Sequence, residues 1–508
     1  MTRTEPEQPR LRLVMADEAD RMPASRVPED LWRRGRRRHR SRIGAAVAAV
    51  LAVALALPVA LTFTSGPPVP AGAPAGGAVP GRVFDPWVWQ APVAQSPPGP
   101  AAVLLSGSGH RAGLGSVDLP GTYGSKIAAV GRDGSYRMLR YADTYLQVGQ
   151  DVMLSPDGRL VAGPDSVEVH LGPGRDSGRL SVVDLVTGRA RHFTDLPADV
   201  PVAWKPDGTA LLLWKQPASQ PIMDGLTPPY DGNEAQYGYA GGSLWLLDLA
   251  TGATRKLIDL GGAVFEPINS AAFAPDGRHL VVQRDRELIL VDTSDGSSRT
   301  LSTLQSATQR LAGAGAFTPD GARIALFDLQ GCTEGCTNSV RNRRFWQLST
   351  LDVATGDLAF LPRFDPISGA AARVAGWQRD GTAVVVAYRD QEDDGTGSAT
   401  YDLPVAYRTV SAADLLALHR GGGTTRLIQP DGVDVWDIDV AHDLLLDGRF
   451  GGPSPDPAAF PAASWLYWVT LTPTVLLLLV AGLIVRAVRR RRSVPGHLGR
   501  GARDQPAR

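Results

Sequence analysis

The stretch VMLSPDGRLVAG at residues 152–163 places two short apolar segments on either side of a PDG turn. Proline presets the backbone of one turn position and glycine accepts a positive φ, so this stretch is predicted to form a tight β-hairpin. The same pattern returns four times, as VAWKPDGTALLLW (202–214), AAFAPDGRHLVVQ (271–283), GAFTPDGARIALF (315–327) and AGWQRDGTAVVVAY (375–388).

A second hairpin pattern alternates with the first. It is an apolar strand that ends in an acidic residue, followed by a glycine turn and a polar strand. The copies are LSVVDLVTGRARHF (180–193), LWLLDLATGATRKL (244–257), LILVDTSDGSSRTL (288–301) and LSTLDVATGDLAFL (348–361). Two hairpins per repeat give a four-stranded sheet, and several such sheets in series predict an all-β fold, a β-propeller.

The repeat also predicts the number of blades. Five blades begin at Asp157, Asp207, Asp276, Asp320 and Asp380. We expect residues 126–139 to supply third and fourth strands and residues 433–450 to supply first and second strands. Together they would form a sixth blade that removes the open sheet edge. The apolar segment AAVLLSG (101–107) is unassigned, so a seven-bladed propeller is the alternative.

These hairpins resemble those of TolB-type and WD-repeat-like propellers. The whole arrangement is similar to actinobacterial membrane proteins that carry a WD-repeat-like domain. The resemblance covers most of residues 83–450 and implies an architecture rather than an activity, because propellers host unrelated functions.

Two uncharged apolar stretches lie near the chain ends, at residues 43–63 and 465–485. Each has 21 residues, which as a helix matches a hydrocarbon core of about 30 Å. Arginine clusters stand before the first stretch and after the second, and arginine stays on the cytoplasmic side. The alternative for the first stretch is a cleaved signal peptide.

The expected organisation follows in chain order. It is a cytoplasmic basic leader (1–42), a transmembrane helix (43–63), a Pro/Gly/Ala linker (64–82), an extracytoplasmic propeller (83–450), a linker (451–464), a transmembrane helix (465–485) and a cytoplasmic basic tail (486–508). The expected location is a bacterial plasma membrane, with both termini inside.

Charge is divided unevenly along the chain. The formal net charge is +0, but residues 1–42 carry 12 Arg against 7 acidic residues and the tail carries 8 Arg against one. The body between them is therefore acidic, which argues against nucleic acid as its partner. Basic ends suit the anionic inner leaflet, so the lipid bilayer is the expected partner there.

The chain has two cysteines, Cys332 and Cys336, within GCTEGC. In an oxidising compartment this pair is predicted to close a small disulfide ring. Free thiols and a metal site are the alternatives, although no histidine or carboxylate cluster stands beside the pair.

The sequence offers no catalytic motif. The PDG aspartates recur once per blade and are expected to be structural. No G-x-S-x-G elbow occurs, and no room remains after residue 450 for a hydrolase domain. We therefore expect no catalytic residues, no metal, no cofactor and no enzyme activity.

The best candidates for binding lie in long loops. All the variation in spacing falls between second and third strands, on what should be one face of the propeller. The loop 215–242 is rich in aromatic and polar side chains of the kind found at interfaces. The predicted binding residues are Tyr230, Asp231, Asn233, Glu234, Tyr237 and Tyr239.

The sequence therefore predicts a membrane-anchored binding scaffold for an extracytoplasmic protein or ligand, without catalysis. The alternative is a transmembrane signalling regulator that acts through residues 1–42, because this leader resembles those of some anti-sigma-like membrane proteins.

Overall fold

The structure is a computed structural model, and the residues it describes fall in fourteen segments. They are 77–84, 90–108, 125–142, 148–164, 178–198, 200–215, 240–265, 269–333, 336–359, 364–390, 410–431, 435–454, 472–473 and 475–486. The chain divides into two units, one of residues 65–466 and one of residues 1–64 with 467–508.

The larger unit begins with strands that belong to three different sheets. They are β1 (Val79–Pro80), β2 (Arg82–Phe84), β3 (Ala101–Ser108), β4 (Ser125–Gly131) and β5 (Tyr136–Ala142). Strands β3, β4 and β5 pair in sequence as antiparallel neighbours and form most of blade 1.

Blades 2, 3 and 4 are three consecutive antiparallel sheets, each built from four strands in chain order. Blade 2 has β6 (Met153–Leu154), β7 (Leu160–Pro164), β8 (Gly178–Asp184) and β9 (Ala190–Leu196). Blade 3 has β10 (Val200–Trp204), β11 (Ala210–Lys215), β12 (Ala240–Asp248) and β13 (Thr254–Val264). Blade 4 has β14 (Ala271–Phe273), β15 (His279–Arg284), β16 (Glu287–Asp292) and β17 (Ser298–Thr303).

Blades 5 and 6 each carry one additional strand. Blade 5 has β18 (Gln309–Leu311), β19 (Arg323–Gln330), helix α1 (Asn338–Arg341), β20 (Phe345–Asp352) and β21 (Leu358–Ala359), with β22 (Ile367–Ser368) also paired to β20. Blade 6 has β23 (Ala371–Trp377), β24 (Ala383–Asp390), β25 (Val410–Leu418) and β26 (Thr424–Asp431), and β2 adds to it in parallel, with Val83 opposite Pro430.

The chain then returns to blade 1. Strand β27 (Val435–Val440) pairs antiparallel with β3, with Ile438 opposite Leu105 and Val440 opposite Val103. Helix α2 (His442–Leu446) and strand β28 (Phe450–Gly452) follow, and β28 pairs in parallel with β1. The ring is therefore closed by one C-terminal strand beside three N-terminal strands.

The fold is an all-β six-bladed propeller, which confirms the predicted blade count. Two details of the closure differ from expectation. Residues 433–450 supply one strand and a short helix rather than two strands, and residues 101–107 form the second strand of blade 1. The seven-bladed alternative is therefore wrong, because its spare strand is already used.

The apolar core lies between neighbouring blades. One buried cluster spans blades 1, 5 and 6 and includes residues of blades 2 and 4, a second joins blades 3 and 4, and a third joins blades 2 and 3. Some strands are continuous apolar runs, such as Ala383–Ala387 in β24. Both faces of such a strand are buried, because its blade lies between two neighbouring blades.

Among the described residues, no helix is both long and apolar enough to cross a membrane. The predicted span 43–63 lies outside the described residues, and the predicted span 465–485 is described only at 472–473 and 475–485. The two flanking transmembrane helices are therefore not shown, and the smaller unit is described only through the helical residues 472–473 and 475–486.

Candidate functional site

The antiparallel order of each blade gives the propeller two different faces. Turns between first and second strands, and between third and fourth strands, lie at the same end of a four-stranded sheet. We call this end the turn face. The connections between second and third strands lie at the opposite end, the loop face.

The turn face is built from self-contained aspartate turns, as the repeat predicts. In blade 3 the Asp207 Oδ1 accepts the Thr209 N–H at 2.9 Å, and in blade 4 the Asp276 Oδ1 accepts the Arg278 N–H at 2.8 Å. The glycines that follow the PDG-type aspartates have φ between 65° and 82°, the region that favours glycine. These carboxylates are used within their own turns and therefore position the backbone.

A cavity of about 440 Å³ opens on the turn face at the propeller axis. Residues of the first strands of all six blades, or of the turns directly after them, line it, so these strands lie nearest the axis. Four large aromatic side chains contribute to the wall, each standing three residues before the turn aspartate of its own blade. They are Trp204, Phe273, Phe317 and Trp377.

The two tryptophans offer mainly carbon surface to this cavity. The Trp204 Nε1–H donates to the carbonyl of Met153 at 3.2 Å, and the Trp377 Nε1–H donates to the carbonyl of Gly315 at 2.9 Å. Because both indole N–H groups are occupied by the backbone, the aromatic wall can hold an apolar group or attract a cation to a ring face.

Blade 1 supplies polar groups to the same cavity, namely Asp439 on β27 and His442 at the start of α2. The Asp439 Oδ2 accepts the Leu154 N–H at 2.8 Å. Burial raises the pKa of Asp439, although the charge of Arg373 acts against this.

His442 has many protein atoms around it, but part of the residue stays exposed because it lines the open cavity. Exclusion of water by the surrounding atoms lowers the pKa of His442, and neighbouring Asp443 acts in the other direction. The imidazole is therefore mainly neutral near pH 7 and can accept a hydrogen bond.

Arg373 forms the polar base of the cavity. Its Nε donates to the Tyr388 hydroxyl at 2.6 Å, and its Nη2 donates to the Asp437 Oδ1 at 3.1 Å and to the Ile438 carbonyl at 2.7 Å. Gln150 also donates to Asp437, at 3.1 Å. The network therefore connects blade 6, the closing strand β27 and the segment before blade 2.

The charges of this network oppose the effect of burial on the pKa of both partners, Arg373 and Asp437. Burial raises the pKa of Asp437 while Arg373 opposes the rise. Burial alone would lower the pKa of Arg373, but Tyr388, Asp437 and Asp439 raise it overall. We treat the pair as ionised, because arginine stays protonated in proteins and three side chains donate hydrogen bonds to the Asp437 carboxylate.

The predicted binding residues are Tyr230, Asp231, Asn233, Glu234, Tyr237 and Tyr239. They fall between β11 and β12 in the sequence and lie outside the described residues. Their role in binding stays a prediction. Sequence reasoning missed the cavity, although an aromatic residue three positions before the turn aspartate in four blades was a usable signal.

The cysteine pair lies on the loop face of blade 5, between β19 and β20. Cys332 and Cys336 are joined by a disulfide, and Cys336 is buried. The Arg344 Nη2 donates to the Cys336 Sγ at 3.2 Å, and Arg341 pairs with Asp390 of blade 6 with 3.1 Å between Nε and Oδ2. This connection therefore packs against the neighbouring blade.

Comparison with known proteins gives structural relatives only. No protein-family model matches the chain, and no curated protein matches it. Similar solved structures include TolB from Acinetobacter baumannii, with 14% identity and a TM-score of 0.35, covering 69% of this chain and 62% of that one. A putative TolB from Agrobacterium tumefaciens has 13% identity and a TM-score of 0.34, covering 67% and 99%.

The class defined by the fold is thus a six-bladed β-propeller. TolB structures are among the solved structures to which the chain is similar, as the hairpins led us to expect. The chain spans less than two thirds of the Acinetobacter TolB, and at these identities the likeness concerns the fold alone.

One prediction is corrected by the same comparison. The similar structures also include an oligogalacturonate lyase in complex with manganese, with 16% identity and a TM-score of 0.36, covering 68% of this chain and 78% of that one. A second oligogalacturonate lyase is among them. The prediction that the chain is not an enzyme is therefore wrong, because enzymes are among the solved structures to which the chain is similar.

Proposed function

We propose that the chain is a protein-binding β-propeller displayed outside a bacterial plasma membrane, with the turn-face cavity as its binding site. The observation that carries the proposal is the cavity at the axis of a closed ring. Its aromatic wall is held by backbone hydrogen bonds and its base by the Arg373 network, so the site is preformed. A preformed concave site with apolar walls and few polar groups is typical of ligand recognition.

The membrane part of the proposal is supported by the helical segment 475–486. Nine large apolar side chains of this segment are exposed, among them Leu476, Leu479, Leu483 and Ile484. Burying one such side chain is worth about 1.5–3 kcal/mol, so nine exposed in water are costly. A contiguous apolar surface of this kind suits lipid, and the arginine-rich flank 486–492 suits a cytoplasmic membrane surface.

Topology reporters test the membrane part directly. Fusions at residues 70 and 455 should be active only in a reporter that works outside the membrane, and fusions at residues 20 and 500 only in one that works inside. Cytoplasmic activity of the fusion at 455 would overturn the display of the propeller outside the cell.

Occlusion tests the binding part. Ala314 lies on the cavity wall and is partly exposed, so Ala314→Trp should fill the space without replacing a large core side chain. The proposal requires this variant to lose partner binding while its thermal unfolding midpoint stays near that of the parent.

Two predictions from the sequence remain as alternatives. The tyrosines at 230, 237 and 239 offer a second candidate surface on the loop face. A regulator acting through the leader 1–42 is the second candidate function, and the leader lies outside the described residues. Deleting residues 11–31 would change transcription of a partner regulon if the leader signals, and would leave it unchanged if the leader only directs insertion.

A further inference from the structure

Because the blades repeat one pattern, each position around the cavity can be compared with the equivalent position in the other blades. In blades 2, 3, 4 and 6 the turn aspartate stands three residues after the last residue of the first strand. In blade 1 the first strand is β27, which ends at Val440, and Asp443 holds the equivalent place. Each residue of the closing strand can therefore be compared with its counterparts in these four blades, and blade 5 can be aligned with them by its turn aspartate, Asp320.

Blade 1 departs from the repeat at two positions on the cavity wall. Directly before the turn aspartate, blades 2 to 5 have proline and blade 6 has Arg379, whereas blade 1 has His442. Four residues before it, blade 1 has Asp439. The counterparts there are Met153, Ala203, Ala272, Ala316 and Gly376. The propeller backbone therefore forms without a carboxylate or an imidazole at these places.

These two side chains have hydrogen-bonding capacity left for a ligand. Among the described residues, Asp439 forms no ion pair and accepts two backbone N–H groups, from Leu154 and Val440. A carboxylate has about four lone-pair sites, so acceptor capacity remains. The His442 imidazole makes no hydrogen bond to another described side chain, and it faces the cavity.

The charge of the surrounding wall favours a positive ligand. Arg373 is the arginine on the cavity wall, and it is already engaged by Asp437. Asp439 is therefore a partly buried carboxylate that forms no ion pair with a described residue, and it lines the same cavity as the four aromatic rings. Ring faces attract an ammonium by about 0.5–2 kcal/mol, depending on desolvation.

We propose that the turn-face cavity binds a primary ammonium group carried on an apolar or aromatic body. The ammonium lies between the Asp439 carboxylate and the His442 imidazole, which both accept its N–H groups. The body packs against the wall formed by Trp204, Phe273, Phe317 and Trp377. This inference rests on the proposed function and adds the chemistry of the group that is recognised.

A cavity of about 440 Å³ is large enough for one such group and too small for a folded element. The same chemistry is present in a free amine and in a lysine side chain of a partner protein. Competition with a lysine-containing dipeptide distinguishes these two sources.

The test compares matched probes on the purified full-length chain by ligand-observed NMR titration. The probes are 2-phenylethylamine and 2-phenylethanol, which differ in the cationic group. We expect the amine to bind about tenfold more tightly than the alcohol, the ratio that corresponds to about 1.4 kcal/mol. Equal affinities, or no binding of either probe, would overturn the proposal.

Two variants assign the effect to the named residues. Asp439→Asn removes the charge but keeps an oxygen for the Leu154 N–H, and it should bring the amine to within about threefold of the alcohol, well under 1.4 kcal/mol. Asp447→Asn is the matched control, since Asp447 lies on the same face outside the cavity and pairs with Arg379. The control should keep the tenfold preference, and its loss there as well would refute a local role for Asp439.

A third variant restores the residue that blades 2 to 5 carry. His442→Pro places proline at the first position of α2, where proline is tolerated. The preceding residue, Ala441, has φ −57° and ψ 123°, which is compatible with a following proline. We expect a normal unfolding midpoint and an amine affinity reduced several-fold, and an unchanged affinity would exclude His442 from the site.

The source of the ammonium is decided by competition. An acetylated and amidated Phe-Lys dipeptide should displace 2-phenylethylamine if lysine side chains are accepted, and the form acetylated at Nζ should not. If only the free amine binds, the ligand is a small molecule. If partner binding is lost in Ala314→Trp while no amine binds, the proposed function stands and the ammonium inference fails.

Discussion

The Arg373 Nη2 of blade 6 lies 3.1 Å from the Asp437 Oδ1 of the closing strand, and both side chains are buried. The strand that carries Asp437, β27, is the last strand of the six blades, and it pairs with β3, more than 300 residues earlier in the chain. The ion pair therefore ties the end of the ring to the blade before it, at the base of the cavity.

Arg373→Met should destabilise the propeller by about 3–5 kcal/mol, because it leaves the Asp437 carboxylate buried without its cation. Denaturant unfolding measures this loss. The control is Arg379→Met, which removes an ion pair of similar length, to Asp447, from a side chain that is 72% exposed. The control should cost no more than about 1 kcal/mol. Equal losses in the two variants would contradict a closing role for Arg373.

The double variant Arg373→Met with Asp437→Leu should be more stable than Arg373→Met alone. Replacing both members of a buried pair by apolar groups removes the unpaired charge, and such exchanges are often close to neutral. If the double variant is less stable than the single one, the cost in Arg373→Met comes from lost packing instead.

The acid sensitivity of the propeller should depend on its turn aspartates. In blade 4 the Ser294 hydroxyl and N–H donate to Asp292, and Arg278 adds a further bond, which lowers the pKa of Asp292 to about 2. A carboxyl whose pKa is lowered by folding stabilises the fold at every pH above its pKa in the unfolded chain, which is near 3.8. This contribution is lost as the pH falls toward 2.

The midpoint temperature of thermal unfolding should therefore decrease as the pH is lowered from about 4 to about 2. Asp292→Asn should have a lower midpoint than the parent at pH 5 and should lose less on acidification, because its side chain does not titrate. Parallel curves for the two proteins across this range would exclude Asp292 as a contributor.

Peptide mapping without reductant should recover Cys332 and Cys336 in one linked peptide. Closing so short a ring is worth about 2 kcal/mol by loop entropy, so reductant should lower the unfolding midpoint slightly. Full alkylation of both cysteines in the exported protein before any reduction would show that the bond does not form.

The sequence predicted the five repeated blades because each is encoded locally. Every PDG-type hairpin has its own glycine, its own aspartate turn and two adjacent apolar segments, so these hairpins could be recognised from neighbouring residues alone. The closure was misassigned for the opposite reason. Leu444 and Leu445 look like part of an outgoing strand, but they form one buried helical turn, and the partner of β27 is the distant strand β3.

The cavity could be predicted only in part. Trp204, Phe273, Phe317 and Trp377 repeat at a fixed distance from the turn aspartates, but their convergence on one axis depends on how the blades pack. His442 and Asp439 could not be recognised as exceptions before β27 was identified as a lone first strand. Once blade 1 is aligned with the others, both stand out at positions where most other blades have proline or a small residue.

A comparison of capture yields decides whether partners bind at the turn-face cavity. Full-length protein carrying Ala314→Trp is compared with the parent and with Ala253→Trp, which adds the same bulk to an exposed turn of blade 3 on the same face. A third variant replaces Tyr230, Tyr237 and Tyr239 with alanine. If partners bind at the cavity, crosslinked partners should be lost in Ala314→Trp and retained in the other two variants. Loss in the tyrosine variant with full retention in Ala314→Trp would exclude the cavity and would place binding on the loop face.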